Sequence, residues 1–141
     1  MTRVDFYVLE QDALMARLHY ACRLTEKAHQ RQHQVVLAVD NEQAAKELSE
    51  YMWQFKPESF VPHQLQTEAT PAPIRIIWSE DDEQQHDILI NLKNEVPAWF
   101  SRFQRVMEIV VQQEQCLKQT RENFQFYRDR GYPLQSHKIA S

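Results

Sequence analysis

Four small constellations in this 141-residue chain have residue types that can do chemistry. His29 and His33 are spaced i, i+4, which on a helix sets two imidazoles on one face, as a metal pair requires. No carboxylate or thiol stands beside them in His29-Gln30-Arg31-Gln32-His33, so the run reads as a solvated helix end. Ser59 and His63 have the types of a nucleophile and its base. There is no Gly-x-Ser-x-Gly elbow, however, and no acid placed to orient the histidine. Asp81, Asp82 and Glu83 suit a hard cation but lack the glycine and ligand spacing of a calcium loop. Cys22 and Cys116 sit in helix-like patterns with apolar neighbours and read as buried free thiols, not as a disulfide. Gly131 is the single glycine, whereas phosphate-cradling loops need several for close backbone approach. No catalytic residue, metal or cofactor is therefore expected.

Two segments do stand out, and both suggest binding. Trp53-Gln54-Phe55-Lys56-Pro57-Glu58-Ser59-Phe60-Val61-Pro62-His63 packs three large aromatics and two prolines into one aperiodic stretch. Either its rings tuck back onto the core or they form a rigid aromatic patch, the material of interface hot spots. The second segment is a helix near the end of the chain. At about 100° per residue, Cys116, Leu117, Thr120, Phe124 and Tyr127 share one arc, the core-facing stripe. Lys118, Arg121, Gln125 and Arg128 occupy the adjoining arc, with Leu117 and Phe124 along the border. That is either an ordinary solvated basic face or a seat for a short peptide both acidic and apolar, its terminal carboxylate included.

The elements that must hold these segments read as follows. Val4–Leu9, Gln34–Val39, Pro73–Trp78, Asp87–Leu92 and Arg105–Val111 are apolar, β-branched runs and predict five strands. Asp12 to Arg31 is helical, with Leu14, Leu18, Ala21, Cys22 and Thr25 on one face. Asp40 reads as an N-cap with Gln43 completing a capping box, opening a helix whose inner face is Ala45, Leu48 and Met52. Pro97 starts a short turn carrying Trp99, Phe100 and Phe103. The last helix runs from Gln113 to Arg130 and is stopped by Gly131 and Pro133. Residues 1–135 form one domain, and the tail 136–141 is expected to fray. Strands alternating with helices predict an α/β fold: a largely parallel central sheet flanked by helices.

An apolar fraction of 43% supports a real core, and no run is long enough to span a bilayer, so a cytoplasmic place is expected. The net charge of −4 argues against a dedicated duplex-binding protein. Residues 118–138 nevertheless carry five cations against two carboxylates, a local net of +3.

The two standout segments also carry a family resemblance. Trp53-x-Phe55-x-Pro57-x-Ser59-Phe60-x-Pro62-His63 resembles the signature of the chi subunit of bacterial DNA polymerase III. Arg121-x-x-Phe124-x-x-Tyr127-Arg128-x-x-Gly131-Tyr132 is similar to that family's last helix, and Asp5-Phe6-Tyr7 and Asp87–Leu92 fit as well. The resemblance spans nearly the whole chain. It implies a nucleotide-binding-like topology without a phosphate loop, in a non-catalytic accessory subunit of the clamp loader. It also implies two partners: the psi subunit, and the acidic C-terminal tail of the single-stranded-DNA-binding protein. DNA would be met mainly through them. Carried over, Trp53, Phe55, Pro57 and Phe60 belong to the psi-facing patch, which a DNA-repair helicase could share. Lys118, Arg121, Phe124, Tyr127 and Arg128 belong to the tail-binding pocket. The Leu117-Lys118 to Tyr127-Arg128 spacing is one residue shorter than in the best-known members, so Arg121 aligns cleanly while Lys118 is open to displacement. The rival classes are a degenerate nucleotide-binding enzyme and a direct single-stranded nucleic-acid binder.

Overall fold

Alternation along β1 (Arg3–Leu9) sends Val4, Phe6 and Val8 to one face of a sheet and Tyr7 and Leu9 to the other. Both faces are covered. In the computed structural model, which describes residues 1–55, 63–68, 72–80 and 86–140, the chain continues through α1 (Leu14–Gln30), β2 (Val35–Ala38), α2 (Glu42–Phe55), β3 (Gln64–Leu65), β4 (Ile74–Ile77) and β5 (Ile88–Asn91). A 3-10 turn (Phe100–Arg102), β6 (Arg105–Val110), α3 (Glu114–Asp129) and β7 (Leu134–Ile139) complete it. The strands form one sheet in the order β3-β4-β2-β5-β6-β1-β7, and every pairing is parallel. β2, all apolar and fully buried, lies inside it, as a strand covered on both faces must. Helices α1 and α2 close one face over Leu37, Ile76 and Ile90. Helix α3 and the 3-10 turn close the other over Val36, Leu89 and Val106.

The five predicted strands are present, and two more join them. β3 is only two residues long. β7 overturns the expectation that residues 136–141 fray, because Leu134–Ile139 pairs with β1 from Val4↔Leu134 to Leu9↔Ile139. Three contacts hold this mostly polar edge strand. His137 Nε2 lies 3.0 Å from Asp5 Oδ1, its ring stacks on Tyr7 at 5.0 Å, and Ile139 packs against the first core. The turn that delivers it depends on Gly131, at φ +78°. Gly131 N–H donates to the Arg128 carbonyl and Tyr132 N–H to that of Tyr127, closing the end of α3 in a left-handed cap.

Local signals also needed adjustment. The N-cap of α2 is Asn41, whose Oδ1 accepts from Ala44 N–H at 2.8 Å. Asp40 instead accepts from Asn94 N–H, and Gln43 donates to Glu47, so the capping box does not form. On α1, Ala21, Cys22 and Thr25 are buried as predicted, but Leu14, in the first turn, is 55% exposed. Among the described residues, no helix is long and apolar enough to cross a membrane.

Candidate functional site

Helix α3 lies over β1 and β6 on the second face of the sheet and leaves a groove of about 370 Å³ along its outer side. Its floor comes from Phe6 and Val8 of β1 and Val110 of β6, and Ser136 of β7 adds a polar edge. Leu117, Thr120 and Phe124 form the helix wall, and Phe124 packs on Phe6 with ring centroids 5.4 Å apart. Arg121, Gln125 and Arg128 form the rim. Among the described residues, the only carboxylate Arg128 meets is that of its sequence neighbour, Asp129, at a long 3.8 Å with both side chains well exposed, an ion pair worth little. Arg121 is exposed and, among the described residues, pairs with no carboxylate. The site therefore offers an apolar trough beside an unneutralised guanidinium, which can meet a carboxylate with two parallel hydrogen bonds.

The structure brings Arg121, Phe124 and Arg128 together in this groove and separates two of their predicted companions. Lys118 is exposed on α3 but does not line it. Tyr127 is fully buried, so it cannot touch a partner in the groove. Its hydroxyl donates to Glu108 Oε2 at 2.7 Å, inside the sheet–helix contact. Glu108 is itself buried, accepts a second bond from Asn91 Nδ2 at 2.9 Å, and is further bonded by Asn123. Burial pushes the Glu108 carboxyl above its ordinary range, against the pull of the bonds from Asn91 and Tyr127. Burial, followed by the neighbouring carboxylate, likewise pushes the Tyr127 phenol up. Tyr127 therefore sets where α3 sits on the sheet. The periodicity of α3 had placed it on the core stripe, and the structure agrees with that half of the reading.

The groove residues that the sequence did not point to are Phe6, Val8, Val110 and Ser136. Strand alternation puts Phe6 and Val8 on one face, but only the pairing order shows that α3 covers that face at its edge. Ser136 depends on β7, whose polar sequence gave no strand signal.

At the other candidate patch, Trp53 projects from the last turn of α2 with 53% of its surface exposed. Its ring lies 5.0 Å from that of His63, which is buried and shares a hydrogen bond of 3.0 Å with Ser49. Phe55 turns the other way and packs edge-on against His19 of α1 at 5.1 Å. Pro57 and Phe60 lie outside the described residues, as do Ser59 and Asp81-Asp82-Glu83. Of the histidine pair, His29 lies on α1 but His33 lies beyond its end. His33 Nδ1 is 2.9 Å from Asp87 Oδ2, which also accepts from Gln34 N–H and so ties the segment entering β2 to the residue before β5. Among the described residues no group of three or more His, Cys, Asp and Glu is arranged around a common metal position.

One parallel sheet, an exposed tryptophan at a helix end and an apolar groove rimmed by arginines define a small α/β domain with its distinctive chemistry on its surface. Comparison with known proteins specifies this further. The family described as DNA polymerase III chi subunit, HolC, matches residues 1–135, and the chain belongs to that family. It is 42% identical to DNA polymerase III subunit chi of Pseudomonas aeruginosa over 139 residues, covering 99% of this chain and 98% of the relative. The subunit chi proteins of Haemophilus influenzae and Escherichia coli K12 are 31% and 29% identical, each with about 95% of both chains covered.

Proposed function

We propose that this chain is a non-catalytic accessory subunit in DNA replication that bridges the clamp loader to the single-stranded-DNA-binding protein. The psi subunit binds at the Trp53 end of α2, and the groove along α3 holds the acidic C-terminal tail. The observation that carries this reading is the unneutralised Arg121 beside a trough floored by Phe6 and Val8 and walled by Phe124. A tail peptide supplies carboxylates for the rim and apolar side chains for the floor. Titration of that peptide against wild type and Arg121→Ala tests it. A hydrogen bond to a charged group contributes about 1.5–3 kcal/mol, so the variant should bind roughly 10- to 150-fold more weakly. Arg121→Lys should recover only part of the loss, because a lysine cannot reproduce the two-bond fork. Equal affinities would remove Arg121 from the site, and no binding to wild type would end the tail-holding role. Trp53→Ala, at a half-exposed position, should leave the fold intact while weakening capture of psi.

A further inference from the structure

A second recess, of about 340 Å³, opens on the face of the sheet opposite the α3 groove. Tyr7, Ile88, Arg105 and Met107 of the sheet line it from one side, and the C-terminal half of α1 closes it with Tyr20, Arg23, Lys27 and Arg31. Two of its basic groups are already committed: Arg105 to Asp5 at 2.7 Å, and His33 to Asp87 at 2.9 Å. Arg23, Lys27 and Arg31 are exposed and, among the described residues, form no ion pair. Among the described residues, Glu26 is the one carboxylate in the lining. Cations at a helix C-terminus offset the helix dipole, which is reason enough for one or two of them. It does not explain three cations that, among the described residues, have no carboxylate partner, around a concavity lined in part by Tyr7 and Tyr20. Arg23 lies over the Tyr20 ring at 5.8 Å, and Tyr20 and Tyr7 have their centroids 5.8 Å apart.

The spacing gives the shape of the ligand. Arg23, Lys27 and Arg31 fall at i, i+4 and i+8, a ladder with a rise of about 6 Å per step. A line of separated cations matches a line of separated anions, not one compact charge. A free di- or triphosphate would concentrate its charge at the carbonyl end of α1, where the dipole opposes it and no cradle of N–H groups is available. The aromatic wall favours a partner with flat rings over an acidic peptide. We propose that this recess is a contact site for single-stranded nucleic acid, with successive phosphodiesters on Arg23, Lys27 and Arg31 and one base against Tyr20. This site adds a direct contact to the bridging role and uses none of its residues.

The test is fluorescence anisotropy of a labelled oligothymidylate titrated with the full chain at several salt concentrations. Three phosphate contacts on a single strand predict a slope of log K against log salt of about −2, from roughly −0.7 per contact. The double charge reversal Lys27→Glu, Arg31→Glu removes two contacts at exposed positions. It should weaken oligonucleotide binding at least tenfold and bring the slope near −0.7, with the circular-dichroism spectrum and tail-peptide affinity unchanged. Lys27→Ala alone, a milder change, should give an intermediate loss. The proposal is overturned if wild type fails to bind at low salt, or if the variants bind with wild-type affinity and slope. It is equally overturned if pyrophosphate displaces the oligonucleotide at concentrations where monophosphate and chloride do not, which would mark a compact-anion site. Loss of binding to an aspartate-rich peptide, with oligonucleotide binding retained, would assign the recess to a protein partner instead.

Discussion

Replacing Tyr127 by Phe separates the two roles the sequence allows it. The substitution keeps the ring, and with it the packing of α3, and deletes only the hydroxyl that donates to Glu108 Oε2 at 2.7 Å. A hydrogen bond to an ionised group is worth about 1.5–3 kcal/mol and one between neutral groups about 0.5–1.5 kcal/mol. At about 2–4 °C per kcal/mol for a chain of this size, the two ranges together put the fall in Tm at roughly 1–12 °C. The sign of the pH dependence follows from the raised Glu108 carboxyl. Its contribution to stability is complete below the unfolded carboxyl pKa and is lost as pH rises through the folded one. Removing the phenol disfavours the ionised form further, so the penalty of Tyr127→Phe should grow across that window. In a Glu108→Gln background the window should disappear and the penalty should shrink to the neutral range, giving a measurable coupling between the two sites. The assays are thermal and urea unfolding of the four proteins over a pH series, with tail-peptide titration of each at neutral pH. Peptide affinity should stay within about twofold, or ~0.4 kcal/mol, because neither Tyr127 nor Glu108 lines the groove. Wild-type stability combined with weakened peptide binding would refute the argument and put the phenol in the groove.

Asp5 should shape the acid limb of stability. Burial works against its ionisation, but hydrogen bonds from His137 and Arg105 and the charges of Arg105 and Arg3 outweigh burial and hold the carboxyl below its usual range. Its stabilisation is present above the unfolded pKa and lost as pH falls through the folded one. Asp5→Asn should therefore lower the urea midpoint at neutral pH and flatten the fall toward about pH 3; an unchanged acid limb would contradict this. Burial pushes the Cys22 thiol up to about 12, so native protein should not be alkylated there at mildly alkaline pH, where an exposed thiol is partly ionised. Peptide mapping that finds a Cys22 adduct before unfolding would overturn it.

The strands of the interior were legible because their composition answers to one condition, burial on both faces, which Val35–Ala38 and Ile88–Asn91 meet without exception. The C-terminal stop of α3 was legible for a similar reason: Gly131 can take a positive φ that other residues resist. Glu108 and Asn123 were not legible. A carboxylate inside Val-Met-Glu-Ile-Val and an amide on a helix have no local mark of burial. Glu108 is satisfied by Asn91, Tyr127 and Asn123, all distant from it in sequence, and Asn123 is buried through that contact although Gln119 also donates to it from the preceding turn. β7 was missed because an edge strand needs pairing more than hydrophobicity, and its pairing partner is at the start of the chain. The rim of the groove could be read from the period of α3, since Arg121 and Arg128 project from one helix. Its floor could not, because it depends on which strands lie side by side.

The position of β1 between β6 and β7 has a consequence for the order in which the molecule can be made. Both neighbours of β1 lie far downstream of it in sequence, with Val4 beside Val106 and beside Leu134. At synthesis rates of about 5–20 residues per second, β1 waits roughly 5–20 s for its first partner. During that time it is an apolar segment with two unpaired edges, a natural client for a holdase. The groove needs Phe6, Arg121 and Ser136 together, so it cannot form until the chain as far as Ser136 has left the ribosome.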